Sequence, residues 1–511
     1  MRKRRRKIII IVLLVLFLPS VGIFMLNLLR TNRLERYLRR ELVRRTALAT
    51  DGFYKLSFDK LNINLFNGEL NIKGIRLVPD PQVFQQWEKK DSLPFTYVDA
   101  QIGMIGFKGV NMTWRKSFRH LHFNSFEIRK PKIHFYDSYY SSRTERLQKE
   151  VKTKTLYEMI APYIDELTVK KLNLNHAYVT YTVVNPVSPI IYALHDVSFH
   201  AYGFRLDKHS SQSGKLLYCN DFDFNTNTAQ TLLTNNDFVL NADRIRLDTK
   251  DSIIYISKIN LASQKQLWKA KRQKRVNSLD AFVDAVTVRG VKFRRNNALN
   301  YLTARSFDIV SPSINASHLM SPPSGENVQS NKRRRIEKMN RDSLVNSLSL
   351  YEIISPVLHD VFIHHIGIEK AKMQYSLNIK DSLEVYKLGS FDFNAADFHI
   401  DSIAKHKRGF WYSRSFTFEA KNILGRMTAR NHQFNIKRLA LNTEARNFVI
   451  EDVTLTPLAK KTHNDYAKGH VVALKINGLK YDHGISADTF LIKHPVIGYV
   501  TTEGVTVKSR R

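Results

Sequence analysis

The sequence predicts a mainly β protein, in which an N-terminal transmembrane helix precedes an elongated, repeat-built antiparallel β-sheet that curves into a groove, with a few short helices. Three observations predict this: an apolar run near the N-terminus, a two-residue alternation from Tyr54 onward, and segments that recur at fixed offsets. With 511 residues, the chain is too long for one compact core. The repeats favour an elongated array over several separate domains.

The N-terminal region predicts a membrane anchor. Residues 1–7 form a basic tail, and residues 8–29 are uncharged and mostly apolar. As a helix this run spans roughly 33 Å, enough to cross a bilayer core. A cleaved signal peptide would need a shorter apolar region and a small-residue cleavage site, which the run lacks. We therefore expect an uncleaved, single-pass anchor. Because long domains translocate regardless of charge, we expect the body outside the cytoplasm.

Residues 30–50 predict an amphipathic helix, with Leu34, Leu38 and Leu42 at helical spacing. Two alternatives are open: the helix lies on the membrane surface with its arginines near lipid phosphates, or it is a stalk that packs against the first strands. A basic loop further along the chain is a second candidate for anionic head groups. The candidate head-group ligands are Arg36, Arg39, Arg40, Arg333, Arg334 and Arg335.

The body, residues 51–511, begins with alternating strands. Leu61, Ile63 and Leu65 point to one face of the first hairpin, and the asparagines between them point to the other. A phase slip at Gly74 predicts a β-bulge. The pattern predicts a sheet with one apolar and one polar face.

Internal repeats are the strongest signal in the body. Residues 157–261 align without a gap with residues 351–455 at an offset of 194, which defines two B-type units. A-type units lie near 61–140, 284–320 and 472–511, and each pairs a glycine-containing strand with a proline-containing strand. The body therefore reads A-B-A-B-A.

Charge and cysteine content exclude some classes and leave others open. The net charge of +34 predicts attraction to anionic lipid surfaces, glycolipids or nucleic acid, without choosing among them. The single cysteine, Cys219, excludes an intramolecular disulfide framework and a Cys-rich zinc site. The redox compartment is not determined by this count.

The chain lacks the common catalytic signatures HExxH, P-loop, GxSxG and GxGxxG, so we expect no enzymatic activity, no cofactor and no metal. Asp221, Asp223 and Asn225 resemble the start of a calcium loop, but the glycine of the sixth position is missing. The other B-type unit has Ser415 and Thr417 where the two acids stand. A strand with an apolar face explains this segment better than a metal site.

The basic tail, the apolar run, residues 58–77 and the strand at 126–133 together resemble the AsmA-like family of Gram-negative envelope proteins, and more distantly chorein-like bridge proteins. The resemblance implies an anchor in the inner (cytoplasmic) membrane and a periplasmic body. It further implies an apolar groove that binds phospholipid or another envelope lipid and supports lipid transport or outer-membrane assembly. Other envelope proteins are implied as partners, and we expect no nucleic acid.

The alternation assigns candidate residues to the groove. The alternative to a groove is a structural or adhesion protein of the envelope, whose apolar strand faces close into a dry sandwich without a ligand. The candidate groove-lining residues are Leu61, Ile63, Leu65, Leu70, Ile72, Phe126, Ile128, Phe222, Phe224, Phe307, Ile309, Phe416, Phe418, Phe490 and Ile492.

Overall fold

The structure is a computed structural model, and it describes most residues from 31 to 500, which form a large β-sheet and two α-helices. The predicted transmembrane segment at 8–29, the candidate Leu65 and the basic residues 333–335 lie outside the described residues. The described residues are 31–64, 67–89, 96–115, 118–138, 157, 161, 164–184, 190–210, 215–233, 238–263, 278–296, 299–320, 359–379, 382–401, 412–428, 431–458, 466–478, 480–481, 485–486 and 489–500.

The chain divides into two compact units, residues 1–253 and 254–511. In the first unit the described elements are α1 (Thr31–Ala49), β1 (Tyr54–Ser57), β2 (Lys60–Asn64), β3 (Glu69–Pro79), α2 (Pro81–Lys89), β4 (Thr96–Lys108), β5 (Asn111–Arg115), β6 (Phe118–Ser138), β7 (Glu166–Val184), β8 (Ile190–Leu206), β9 (Asp221–Thr226), β10 (Thr228–Leu233), β11 (Phe238–Ala242) and β12 (Arg244–Asp248).

The described elements of the second unit are all strands. They are β13 (Ile253–Ser263, which starts at the boundary), β14 (Ser278–Arg289), β15 (Lys292–Asn296), β16 (Leu299–Val310), β17 (Ser313–Met320), β18 (Asp360–Ile379), β19 (Ser382–Ile400), β20 (Ser415–Met427), β21 (His432–Asn442), β22 (Asn447–Pro457), β23 (Tyr466–Asn477), β24 (Lys480–Tyr481), β25 (Ile485–Ser486) and β26 (Thr489–Val500). The predictions of a mainly β chain and of repeated β architecture are confirmed.

The sheet is mixed, so the prediction of a wholly antiparallel sheet is wrong. Most neighbouring strands are antiparallel, but β6 runs parallel to β7. In the second unit β16 and β17 both run parallel to β18. Parallel neighbours need a long crossover, and the chain supplies one at 139–165 and another at 321–359. Alternation within a strand carries no information on the direction of its neighbour.

The structure repeats as the offset of 194 predicts. Ile128 pairs in parallel with Leu174 in the first unit, and Ile309 pairs in the same way with Ile368 in the second. Leu174 and Ile368 are equivalent under that offset. The glycines at the equivalent position of the three A-type units all have a positive φ: +63° at Gly74, +66° at Gly290 and +68° at Gly478. Gly74 lies within β3, whereas Gly290 and Gly478 directly follow the last residues of β14 and β23.

The two helices of the first unit begin and end at recognisable signals. Asp80 caps α2: its Oδ1 atom accepts hydrogen bonds from the N–H groups of Gln82, at 2.9 Å, and Val83, at 3.3 Å. Pro81 follows at the first helical position, where its missing N–H costs nothing. After α1, Gly52 adopts a φ of +78° and its N–H donates to the carbonyl group of Ala47.

Candidate functional site: the apolar face of the sheet

In the second unit one face of the sheet is apolar from strand to strand. Residues that pair directly across strands lie on the same face, so each ladder of pairs forms a row across the sheet. One row crosses nine strands and consists of Val286, Ile309, Ile368, Phe393, Phe418, Leu441, Phe448, Ile476 and Phe490. A second row consists of Ala281, Ile314, Met373, Leu388, Ile423, Ile436, Val453, Val471 and Pro495.

The opposite face of the same strands is polar. Arg438 lies there between two carboxylates, with Nε 2.9 Å from Glu419 Oε1 and Nη1 3.3 Å from Glu451 Oε1. The hydrogen bond from Arg438 lowers the pKa of Glu419. A polar row on this face consists of Thr287, Asp308, Gly367, Asn394, Thr417, Asn442, Asn447, Asn477 and Thr489.

A line of irregular residues crosses the strands and keeps the apolar side chains on one face. Lys370, with a φ of +53°, stands between Ile368 and Ala371, and both of these pair with phenylalanines of β19. Asn422 and Asp452, with φ of +55° and +59°, stand at the matching positions of β20 and β22. Each irregular residue adds one position to the alternation. The apolar residues are therefore three apart here and two apart elsewhere.

The first unit has an apolar face built in the same way. One row consists of Leu61, Ile72, Ile105, Ile128, Leu174, Phe199, Phe224 and Leu247. The adjacent row consists of Ile63, Leu70, Phe107, Phe126, Leu172, Ala201 and Phe222.

The helices cover the beginning of this face. Leu38 and Leu42 of α1 are buried in one cluster with Leu61 and Ile72, which are each only 1% exposed. Further along the same rows, from β7 onward, residues such as Leu174 are partly exposed. The first strands therefore form a closed core with α1, and the apolar face opens beyond them.

The apolar face of the second unit is partly exposed, although Phe416, Ala395 and Ala420 on it are buried. Phe393, Phe418, Ile436 and Ile450 are all partly exposed, and Met373 is 38% exposed. No helix covers this face among the residues described between positions 254 and 511. A broad apolar surface of this kind is typical of surfaces that contact a membrane, a ligand or another protein.

The structure brings the predicted groove residues together in adjacent rows. In the first unit Leu61, Ile72, Ile128 and Phe224 share one row, and Ile63, Leu70, Phe126 and Phe222 share the next. In the second unit Ile309, Phe418 and Phe490 share one row. The row on one side of it contains Phe307 and Phe416. The row on its other side contains Ile492, which is placed there by its backbone pairing with Leu474. Leu61 and Ile72 belong to the closed core, so a ligand has no access to them.

Sequence reasoning missed the residues beyond the line of irregular positions. Met373, Ile436 and Val453 lie on the apolar face but stand out of phase with Ile368, Leu439 and Ile450. The repeat offset carried the only usable signal, because Val179 occupies the position equivalent to Met373 and lies on the same face of the first unit.

The predicted head-group arginines of α1 divide into two kinds. Arg39 is bound to the sheet: its guanidinium donates to the carbonyl groups of Phe58 and Asp59 and lies 4.5 Å from the centroid of the Phe58 ring. Arg36 and Arg40 are exposed. Of the three candidate head-group ligands on α1, Arg36 and Arg40 therefore face solvent and Arg39 is bound to the sheet.

Asp221 and Asp223 are the two acids of the segment that resembles the start of a calcium loop. Asp223 Oδ1 lies 2.9 Å from Nδ1 of His200, on the neighbouring strand, and Phe222 and Phe224 point to the apolar face. In the part of the chain that the structure covers, no three His, Cys, Asp or Glu side chains come together as a metal site.

No protein-family model matches the chain, and no curated protein matches it significantly. Among the residues described, no helix is both long enough and apolar enough to cross a bilayer.

Proposed function

We propose that this protein is an AsmA-like, membrane-anchored lipid-binding protein that supports lipid transport or outer-membrane assembly. One observation carries the proposal: the apolar rows of the second unit run without a break across nine strands, and their side chains from β14 to β23 are partly exposed. Acyl chains are the ligand class that fits, because they bury apolar surface without requiring hydrogen bonds.

The dimensions of this face suit extended lipid chains. Nine neighbouring strands at a spacing of about 4.8 Å place the first and last residues of a row about 38 Å apart. Each apolar Å² that a lipid removes from water contributes about 25 cal/mol, so a chain that lies across a few rows gains several kcal/mol before its ordering cost. The polar row on the opposite face keeps the sheet solvated.

The location of the protein belongs to the same proposal. An apolar run at 8–29 after a basic tail supports an anchor in the inner membrane, and the body then lies in the periplasm, where phospholipid and outer-membrane precursors are the available partners. The net charge of +34 favours contact with anionic membrane surfaces. The apolar face gives no reason to expect nucleic acid.

A photo-crosslinking experiment on the full-length protein in its membrane tests the proposal. Benzoylphenylalanine replaces Phe418, on the apolar face, or the adjacent Thr417, on the polar face, and irradiated protein is analysed for lipid adducts by mass spectrometry. We expect adducts at position 418 and none at position 417. The two positions lie on one strand, so protein abundance and membrane insertion are matched.

The same experiment distinguishes the alternative of a closed sandwich. In a dry sandwich, the probe at position 418 would attach to another segment of protein. Protein adducts without lipid at that position would overturn the proposal.

A further inference from the structure

A pair of tyrosines occupies equivalent positions on the apolar face of both units. Tyr181 pairs directly with Tyr192 across β7 and β8, and their ring centroids are 6.1 Å apart. Tyr375 pairs with Tyr386 across β18 and β19, with centroids 6.5 Å apart and rings nearly parallel. The offset of 194 relates the two pairs residue by residue.

A carboxylate lies beside each tyrosine pair. Asp137 stands one row further out than Tyr181, and its Oδ2 atom accepts a hydrogen bond of 2.7 Å from the Tyr181 hydroxyl group. Glu384 stands one row further out than Tyr386, and its Oε2 atom accepts a hydrogen bond of 2.9 Å from the Tyr386 hydroxyl group. We name each set a tyrosine–acid site. The first consists of Asp137, Tyr181 and Tyr192, and the second of Glu384, Tyr375 and Tyr386.

The two acids are unusual for their surroundings. Glu384 is only 7% exposed, in a row with Leu377 and His318 next to the row of the tyrosine pair. Neither Asp137 nor Glu384 has a Lys, Arg or His partner among the residues that the structure describes, although the chain as a whole is strongly basic. Burial of an unpaired carboxylate is costly. A cation beside Glu384 would remove that cost, and one beside the half-buried Asp137 would reduce it.

The site geometry identifies the kind of cation. Each tyrosine pair offers aromatic ring faces, and ring faces with a nearby carboxylate attract ammonium and quaternary ammonium groups. Both sites lie close to a strand end: β7 ends at Val184 and β18 ends at Ile379. Tyr192 is 42% exposed, so the first site is open to solvent while the apolar rows extend away from it.

We propose that the tyrosine–acid sites bind the ammonium group of a lipid whose acyl chains lie along the apolar rows. The proposal rests on the lipid-binding function proposed above and specifies its ligand: a zwitterionic phospholipid with an amine or quaternary ammonium head group. Asp137 or Glu384 supplies the counter-charge, and the tyrosine rings supply the cation–π contact. The tyrosine pair is repeated, whereas the acid comes from β6 in the first site and from β19 in the second, so the chain has two related positions for one head-group type.

The test compares lipids that differ only in their head group. Full-length protein in detergent micelles is mixed with equal amounts of phosphatidylethanolamine and phosphatidylglycerol that carry identical acyl chains, and native mass spectrometry measures the ratio of the two bound lipids. A counter-charge together with a cation–π contact favours phosphatidylethanolamine by about tenfold.

Variants assign that preference to the sites. Asp137→Asn combined with Glu384→Gln keeps side-chain shape, and we expect the bound ratio to fall to about twofold or less. Tyr192→Leu removes one exposed ring, and we expect about a threefold loss of preference. The matched control combines Asp243→Asn with Glu444→Gln, which makes the same change in charge at two exposed residues. We expect this control to keep the preference of the unmodified protein.

The outcomes separate this proposal from the one on which it rests. If both lipids bind equally well, or if the control loses the preference as the site variant does, the tyrosine–acid sites are overturned while lipid binding stands. If neither lipid binds, the proposed lipid-binding function fails, and the sites fail with it. A lower ratio in the site variant alone, at unchanged thermal stability, supports the proposal.

Discussion

The hydroxyl group of Thr443 joins both backbone polar groups of Phe416: it lies 2.8 Å from the backbone nitrogen, whose hydrogen it accepts, and 3.0 Å from the carbonyl oxygen, to which it donates. Thr249 and Phe222 form the same pair of hydrogen bonds in the first unit, at 2.7 Å and 3.0 Å. Phe222 and Phe416 both lie on the apolar face. The repeat therefore preserves a specific side-chain contact as well as the pattern of strands.

We expect Thr443→Val to loosen the start of β20. Valine keeps the shape of threonine but removes both hydrogen bonds to the Phe416 backbone, which costs about 1–2 kcal/mol. Amide hydrogen exchange at Phe416 should become about tenfold faster. Thr417→Val is the control, because Thr417 is exposed on the polar face and such changes stay within about 0.5 kcal/mol. Equal exchange rates in the two variants would contradict this role.

Arg39 should matter for the docking of α1, whereas Arg40 should not. The guanidinium of Arg39 reaches two sheet carbonyls and the Phe58 ring, and Arg40, next to it, is exposed. Arg39→Leu removes these contacts and should weaken docking by about 1–2 kcal/mol. Limited proteolysis within residues 31–49 measures the effect, with Arg40→Leu as the control. Unchanged proteolysis of the Arg39 variant would show that Leu38 and Leu42 hold the helix alone.

The alternation and the repeats predicted the β class and most of the apolar face, because both follow from local spacing. Phe416 and Phe418 illustrate this: two-residue spacing alone placed them on one face. The non-glycine irregular positions were beyond reach, since nothing in the sequence around Lys370 or Asn422 signals a positive φ. The irregularity at Gly74 could be predicted because glycine itself indicates it: a side chain at this position would collide with Asp59.

Two other features depend on contacts that no local pattern contains. The parallel pairing of β6 with β7 is a contact between strands that are far apart in the sequence, and the strand sequences are compatible with either direction. The closed core around Leu61 and Ile72 exists because α1 packs on it. A candidate ligand-binding residue and a core residue look alike in a strand when the covering element comes from elsewhere in the chain.

The stability of α1 should depend on pH through the ionisation of Glu41. Hydrogen bonds from Arg44 and Arg45 lower the pKa of Glu41 to about 2, and Glu41 is nearly buried. Because the folded pKa lies below the ordinary value of 4.5, the stabilisation is complete above that value and is lost as the pH falls towards 2. The protection of the α1 amide groups against hydrogen exchange, relative to an unfolded chain at the same pH, should decrease as the pH falls across this range. Glu41→Gln should be less stable at neutral pH and lose this part of the pH dependence; an unchanged pH profile would contradict the assignment.

Two lysines of β18 give opposite predictions for the same pair of substitutions. Lys370 and Lys372 are both exposed, but only Lys370 has a φ in the left-handed region, at +53°. Glycine adopts that conformation without strain, whereas β-branched valine does not. Lys370→Gly should therefore be more stable than Lys370→Val, by about 1 kcal/mol or more. At Lys372, whose φ lies outside the left-handed region, the order should reverse, because valine suits a strand better than glycine.

Chemical denaturation of the four variants measures the two differences in unfolding free energy. Comparison within each position cancels the loss of the lysine charge, since both substitutions remove it. The same order at both positions would mean that β18 runs regularly through Lys370, and Met373 and Tyr375 would then lie on the polar face. Opposite orders would fix the register of the strand beyond Lys370, and with it the apolar face on which both proposals depend.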